Sequence, residues 1–142
     1  MADRGVMEYG STDRISLVPD RDAPVAAAFE IQRRGNGLVV VVGSVPIGPR
    51  ESAAILAGVG RVLSERLPGL RHLVLDLGKA RAMSAIGLAM CVDLRNRGAA
   101  AGLAPVLAGA NGEVMDVLRM MKVDRLFTAV RSERDLKQLL GG

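Results

Sequence analysis

The feature that most constrains the fold is an alternation of short strand-like runs with helical segments. Two strand-like runs come first, at residues 29–33 and 38–42, and every later one follows a segment with helical periodicity. The predicted order is therefore ββαβαβαβα. Strands separated by helices form right-handed βαβ crossovers, so parallel strands lie side by side with helices against the sheet. We predict an α/β fold: a mixed β-sheet of about five strands with about four α-helices.

The strand-like runs differ in how they alternate. Residues 29–33 alternate apolar with polar side chains, as a half-buried strand does, and residues 38–42 are apolar throughout, as a central strand is. The intervening Gly35-Asn36-Gly37 predicts a tight hairpin. The remaining strands are predicted at residues 73–77, 103–108 and 126–130, with Pro105 acceptable near an edge or a strand start.

Four segments show helical periodicity or helix-capping signals. Residues 51–67 carry one apolar stripe, and residues 85–97 predict a second helix with Gly98 as its C′ residue. Asn111 is expected to cap a third helix, and Ser132 opens a fourth in a sequence that resembles a capping box. A methionine cluster in the third helix is interpreted as core filling rather than as a docking surface; its members are Met115, Met120 and Met121.

Composition limits the class of protein. The chain has 142 residues, 49% of them hydrophobic, which fits one domain; residues 1–24 predict a flexible N-terminal tail with a short extended piece at 15–18, and residues 25–142 the domain. The net charge of +4 comes from interleaved charges of both signs, and aromatic residues make up 2%, so nucleic-acid binding is not expected. The start does not resemble a signal peptide, and the longest apolar run is too short for a membrane helix. With its single cysteine, we expect a soluble, cytoplasmic protein.

Few side chains are candidates for catalysis or metal binding. The only histidine, His72, is interpreted as a flanking surface residue rather than a base, and Cys91 as a buried small hydrophobe rather than a reactive thiol. Asp76 ends a strand, where we expect it to satisfy the following turn rather than to catalyse. One histidine and one cysteine cannot complete the usual zinc site, and no glycine motif for nucleotide binding occurs. We therefore expect no catalytic residue, cofactor or metal site.

One segment resembles a known family. Residues 73–88, LVLDLGKARAMSAIGL, resemble the signature of the STAS family, in which a buried strand ends in Asp-Leu and a D-S-S-G-L-like motif opens a helix. Gly43 falls where the family has the glycine of a G-E-L-D turn. Arg125-Leu126-Phe127, followed by residues 132–140, resembles the family's closing pattern of RLF, short strand and helix. The resemblance covers residues 29–140.

The resemblance implies a small sheet with helices, no catalytic activity and binding to protein partners. In anti-sigma factor antagonists of the family, the partner is an anti-sigma factor with serine-kinase activity, which phosphorylates the serine after the aspartate of D-S-S-G. A phosphate there meets the positive end of a helix dipole but adds a charge of about −2 to the docking surface. In the family, phosphorylation therefore disrupts the interface.

The sequence departs from the family at the phosphorylation motif. Aligning Gly87-Leu88 with the motif puts Ser84 at the aspartate position and Ala85 at the acceptor position, and Pro46 replaces the aspartate of G-E-L-D. Alanine has no hydroxyl, so the familiar switch cannot operate at Ala85. Ser84 is interpreted as the helix N-cap, with phosphorylation of Ser84 as the alternative.

We expect the same helix start to bind the partner. If Leu88 and Cys91 face the sheet, Ile86, Ala89 and Met90 form an exposed apolar strip bordered by Asp93 and Arg97; the alternative is that neighbouring loops cover them. The expected partner-binding residues are Ser84, Ala85, Ile86, Gly87 and Met90.

The resemblance implies a bacterial, non-enzymatic module of transcription regulation that docks on an anti-sigma factor or serine kinase. Two alternatives are retained: a STAS subunit of a larger assembly, such as a lipid-transport ATP-binding complex or a stressosome-like particle, and a small-molecule sensor or enzyme on an α/β scaffold. We expect no nucleic acid as a partner and no direct insertion into a membrane. The sequence leaves a homodimer open.

Overall fold

The computed structural model describes residues 29–44 and 46–141, and the backbone of residues 15–16. Its strands are β1 (Ile15–Ser16), β2 (Phe29–Arg34), β3 (Gly37–Val42), β4 (His72–Asp76), β5 (Ala104–Ala108) and β6 (Thr128–Val130). The helices of this part of the chain are α1 (Pro49–Ser64), α2 (Ala85–Ala100), α3 (Gly112–Met120) and α4 (Glu133–Leu140), with a 3₁₀ turn at Asp124–Leu126. None of these helices is long and apolar enough to cross a membrane.

The strands form one mixed sheet in the order β1-β2-β3-β4-β5-β6. β2 is antiparallel to both β1 and β3, whereas β3, β4, β5 and β6 are parallel to one another. From β2 onward, the predicted order ββαβαβαβα and the mixed sheet are confirmed. The additional strand, β1, lies within the extended piece expected at residues 15–18. The other residues of the predicted tail, 1–14 and 17–24, lie outside the described part, and the boundary at residue 24 remains a prediction.

The hairpin between β2 and β3 is closed by two residues, Gly35 and Asn36. Arg34 pairs with Gly37, and the positive φ of 58° falls on Gly35 rather than on the asparagine. Asn36 also connects distant elements: its N–H donates to the Leu140 carbonyl at 3.0 Å, and its carbonyl accepts from His72 N–H at 3.1 Å. The turn therefore holds the start of β4 and the end of α4 as well as the hairpin.

Side chains of the sheet alternate between two hydrophobic cores. In β3, Leu38 and Val40 belong to the larger core with α1, α2 and α3, whereas Val39 and Val41 belong to a smaller core with α4. Because helices cover both faces of this strand, all six of its residues are buried. This explains why β3 reads as a continuous apolar run.

The boundaries of α2 correct the sequence prediction. The helix continues to Ala100, so Gly98 lies inside it rather than after its end. A Cβ at Gly98 would lie 2.7 Å from Leu73 Cδ2, so the glycine is required by the close approach of α2 to β4. Gly102, with a φ of 83°, follows the C-cap Ala101 and adopts the left-handed conformation expected there.

The ends of other elements also differ from the sequence prediction. α1 starts with Pro49, which is favourable in the first turn, and the Gly48 N–H donates to Glu51 Oε1 at 3.0 Å. The strand expected at 126–130 is shortened to β6 because its first residues join the 3₁₀ turn. Pro105 precedes Val106, the first residue of β5 that pairs with β6, so its missing N–H leaves no gap in the ladder.

The methionines of α3 were expected in the core, which is wrong for two of them. Met115 packs against the larger core, but Met120 and Met121 are 75% and 58% exposed. The buried stripe of α3 consists of Val114 and Leu118, and the helix ends at Met120 before another turn can return to the core.

α4 is held on the opposite face of the sheet by polar and apolar contacts. Ser132 Oγ accepts from Asp135 N–H at 3.1 Å, which confirms the predicted cap, and Leu136 and Leu140 are buried. Arg34, only 3% exposed, pairs its guanidinium with Glu133. A buried charge is costly without a partner, so this ion pair helps to fix where α4 crosses the sheet.

Candidate functional site

The candidate site lies where the parallel strands β3, β4 and β5 end. At this edge the chain passes from each strand into the next helix, and ligands of open α/β sheets bind at such edges. We call residues 84–87, the first turn of α2 with its N-cap, the α2 tip.

Ser84 is the N-cap of α2 and joins the tip to a neighbouring connection. Its Oγ accepts from the Gly87 N–H at 3.0 Å and donates to the carbonyl of Ile47, between β3 and α1, at 3.0 Å. The capping role predicted from the sequence is confirmed. Because the hydroxyl is used both as donor and as acceptor, it fixes the tip relative to the β3–α1 connection.

Gly87 is required by close packing at the tip. A Cβ at this position would lie 2.7 Å from Met83 Sδ, whose side chain packs against the larger core. Gly87 itself is buried, so it shapes the tip without offering a side chain to a partner. Gly87 was predicted to be among the partner-binding residues; because it is buried, it supports the tip but does not offer contact surface.

The connection from β4 to α2 is also joined to the one from β5 to α3. Asn111 caps α3 by accepting from Val114 N–H at 2.8 Å, as predicted, and its Nδ2 donates to the Ala80 carbonyl at 3.2 Å. Gly109, with a φ of 75°, packs so closely that a Cβ would lie 3.0 Å from Gly78 Cα. Sequence reasoning missed the bond to Ala80, which lies 31 residues away, because capping rules concern only neighbours in the chain.

The exposed apolar strip is smaller than the sequence predicted. Met90 is only 1% exposed and belongs to the larger core, so it does not line the surface. The buried stripe of α2 is Gly87, Met90, Cys91, Leu94 and Gly98, at helical spacings of i, i+3, i+4, i+7 and i+11.

Cys91 is buried, as predicted. Leu88 was expected to lie with it on the face toward the sheet, but Met90 is the more deeply buried neighbour. Leu88 is partly buried at one flank of the stripe, and Met90 lies nearer its centre. At about 100° per residue, Ile86 falls at the opposite flank, where it is 39% exposed. Ala85 and Ala89 are exposed beside it. The apolar surface of the tip is therefore formed by Ala85 and Ile86, with Ala89 beside them on the next turn.

The connection that leads into the tip carries two cations. α2 has no acidic residue in its first turn, whereas each of the other helices in the described residues has one. Lys79 and Arg81 are exposed on the connection that precedes the tip, and the N-terminus of a helix adds the positive end of its dipole. The tip thus combines a small apolar surface with a preceding connection that carries two exposed cations.

The titratable candidates lie apart from one another. His72 begins β4 and Asp76 ends it, so they are about 13 Å apart along the strand. Asp76 Oδ1 accepts from the Gly78 N–H at 2.9 Å, which confirms its role in the turn. Burial raises the pKa of the Cys91 thiol to about 12. Among the described residues, no group of three or more His, Cys, Asp and Glu side chains could hold a metal ion.

His72 is part of the fold rather than of the tip. Its Nδ1 lies 2.9 Å from Asn36 Oδ1, at the edge of the sheet opposite the α2 tip. Partial burial, and to a lesser extent the charge of Arg71, lower the pKa of the imidazole from its ordinary value of 6.5. The half-buried ring therefore favours its neutral form and holds the hairpin turn against β4.

Solved structures with the same fold include anti-sigma factor antagonists. An antagonist from Mycobacterium paratuberculosis is 16% identical, with a TM-score of 0.64 over 86% of this chain and 100% of that one. Unphosphorylated SpoIIAA, an anti-sigma factor antagonist, is 11% identical, with a TM-score of 0.65 over 81% and 98% of the two chains. A variant of RsbS from Moorella thermoacetica is 16% identical, with a TM-score of 0.63 over 78% and 95%. At these identities the likeness establishes the fold.

The family assignment rests on the sequence. A comparison with curated proteins finds no significant match. The family model of the STAS domain matches residues 25–136, which is most of the chain. The chain therefore belongs to the STAS domain family.

Proposed function

We propose that this protein is a non-enzymatic regulatory module that binds an anti-sigma factor of the serine-kinase type through its α2 tip. Membership of the STAS family and the shared fold with anti-sigma factor antagonists support the class of function. The observation that carries the proposal is an exposed apolar side chain, Ile86, on a tip held by hydrogen bonds from two other connections.

The composition of the tip defines the partner surface that fits it. Ile86 offers an apolar contact beside the small side chains of Ala85 and Ala89, and the exposed Lys79 and Arg81 lie on the connection that precedes them. Protein interfaces commonly combine an apolar centre with a polar rim. The complementary surface is therefore a shallow apolar recess with carboxylates at its edge.

The tip binds its partner without the phosphoserine switch of the family. Ala85 stands at the acceptor position and has no hydroxyl to phosphorylate. The neighbouring hydroxyl of Ser84 already accepts one hydrogen bond and donates another, and both would have to change if it carried a phosphate. We infer that docking is constitutive, or is controlled by something other than a phosphate on this turn.

A pair of matched substitutions tests the docking surface. The wild-type chain is used to capture partners from its native host, and the captured protein is identified by mass spectrometry and purified. Its affinity is then measured for the wild type, for Ile86→Asp and for Met120→Asp, which changes a more exposed apolar residue on another helix. We expect Ile86→Asp to weaken binding by roughly tenfold or more, and Met120→Asp to have little effect.

The outcomes separate the alternatives. Capture of an anti-sigma factor or serine kinase that Ile86→Asp releases supports the proposal. Capture of a membrane ATPase instead would favour a subunit of a larger assembly, and equal affinity of both variants for the partner would rule out the α2 tip as the docking surface.

A gain-of-function substitution tests the missing switch. Ala85→Ser restores a hydroxyl at the acceptor position, and we expect the captured kinase to phosphorylate this variant but not the wild type within residues 83–88. Phosphate incorporation is measured by intact-protein and peptide mass spectrometry. Stoichiometric phosphorylation of wild-type Ser84 would contradict constitutive docking.

A further inference from the structure

A groove opens at the end of the molecule opposite the α2 tip, between the last turns of α1 and α2. Its volume is about 750 Å³, within the range of small-molecule sites in proteins. It is lined by side chains from both helices and from the segments that follow them. The proposed docking function does not use this region.

The wall of the groove is mainly aliphatic. Four leucines line it: Leu63, Leu67, Leu70 and Leu103. Leu103 is buried, whereas the other three pack against the larger core with part of their surface left open to the groove. Four leucines around one cavity provide a surface suited to an alkyl chain.

Two arginines line the same groove. Arg97, on α2, donates from Nε to Asp93 Oδ1 at 3.0 Å, which orients its guanidinium. Its Nη1 lies 3.5 Å from where a Cβ of Gly60 would stand, so the guanidinium lies against α1 at the groove. Arg66, in the turn after α1, is the second arginine of the lining.

The backbone at Arg66 has the left-handed conformation that glycine adopts most easily. Arg66 has a φ of 51°, in the left-handed region that favours glycine after a helix. α2 has Gly102, with a φ of 83°, at the corresponding position. On backbone grounds glycine would be favoured at residue 66, as it would at Lys122, which follows the C-cap of α3 with a φ of 64°.

We propose that this groove is a binding site for an alkyl carboxylate of medium chain length. The leucines contact the chain, and the guanidinium groups of Arg66 and Arg97 bind the carboxylate, for which their planar arrangement of donors is well suited. The site is independent of the α2 tip, so either proposal can fail without the other.

Titrations of the isotope-labelled protein with hexanoate, octanoate, decanoate and octanol, followed by two-dimensional NMR, test the proposal. We expect saturable shifts at the last turns of α1 and α2, and affinity that rises by up to about fourfold for each added methylene. Octanol has the same chain as octanoate without the charge, and we expect it to bind roughly fivefold more weakly. Equal binding of octanol and octanoate, or no saturable shift with decanoate, would overturn the proposal.

Substitutions identify the groups that bind the carboxylate. Arg66→Gly removes one guanidinium and relieves the backbone, so the variant is expected to fold at least as stably as the wild type while binding octanoate roughly fivefold more weakly. Arg97→Gln is expected to weaken binding similarly. Arg50→Gln, at the other end of α1, is the control and should leave binding unchanged. Wild-type affinity in both Arg66→Gly and Arg97→Gln would show that the arginines do not form the site.

Discussion

The two ends of α2 are held in different ways. At the N-terminal end, hydrogen bonds from Ser84 and Asn111 join the surrounding connections, and Ile86 remains exposed. Toward the C-terminal end, the helix lies directly against the sheet, because Gly98 allows it to approach Leu73. Hydrogen bonds to backbone carbonyls hold the N-terminal end without burying its apolar side chains. Close packing at the C-terminal end buries the side chains that make the contact. One helix can therefore expose apolar side chains at one end without weakening the core.

The sharpest test of this difference uses the same substitution at two nearby positions. Met90→Asp places a carboxylate in the larger core, where it has no counter-charge, and we expect a loss of about 4 kcal/mol or more in the free energy of unfolding. Ile86→Asp, on the exposed flank, is expected to change that free energy by less than about 0.5 kcal/mol. Urea unfolding followed by circular dichroism measures both. Comparable losses would mean that the buried stripe of α2 and its exposed flank are not distinct.

The close-packed end can be tested with two Gly→Ala substitutions that are expected to change the free energy of unfolding in opposite directions. Gly98→Ala forces a methyl group against Leu73, and we expect a net loss of about 1–3 kcal/mol despite the better helix propensity of alanine. Gly60→Ala, in α1, meets only the end of the Arg97 side chain, at 3.5 Å, and should stabilise by about 0.5–1 kcal/mol. Thermal and urea unfolding of the two variants compare them. A stabilising Gly98→Ala would contradict the tight approach.

The hydrogen-bonded end depends on the hydroxyl of Ser84. Ser84→Ala removes both the helix cap and the bond to Ile47, and we expect a loss of about 1–2 kcal/mol in the free energy of unfolding. Ser84→Asp retains a good capping group but cannot donate to the Ile47 carbonyl, so an intermediate loss is expected. Equal stability of all three proteins would show that neither bond matters to the tip.

The smallest expected effect concerns the opposite edge of the sheet. The pKa of His72 is lowered in the folded protein, so the unfolded chain binds the proton more readily. The neutral His72 ring therefore contributes stability that is fully present above pH 6.5. This contribution is lost as the pH falls through the pKa of His72 in the folded protein. Unfolding titrations between pH 7.5 and 5 should show a decline that is reduced in His72→Gln. Identical pH profiles for the two proteins would contradict this contribution.

Several features of the candidate site follow from local chemistry and were predictable. Ser84 and Asn111 cap helices because a short polar side chain just before a helix can accept from its free N–H groups. The Asp76 carboxylate accepts a hydrogen bond from the backbone of the following turn for a similar reason. The connections between these caps were not predictable: the bond from Asn111 to Ala80 depends on how the strands order in the sheet.

The sequence by itself determined the order of strands and helices, the helix caps and the absence of a hydroxyl at Ala85. These depend on periodicity, on neighbours within one turn and on the chemistry of one side chain. Only the tertiary structure decided that Met90 is buried, that Met120 is exposed and that a groove with two arginines opens between α1 and α2. The reason is that burial depends on which elements pack around a residue. The apolar stripe of a helix does not determine how many neighbouring helices and strands cover the residues at its edges.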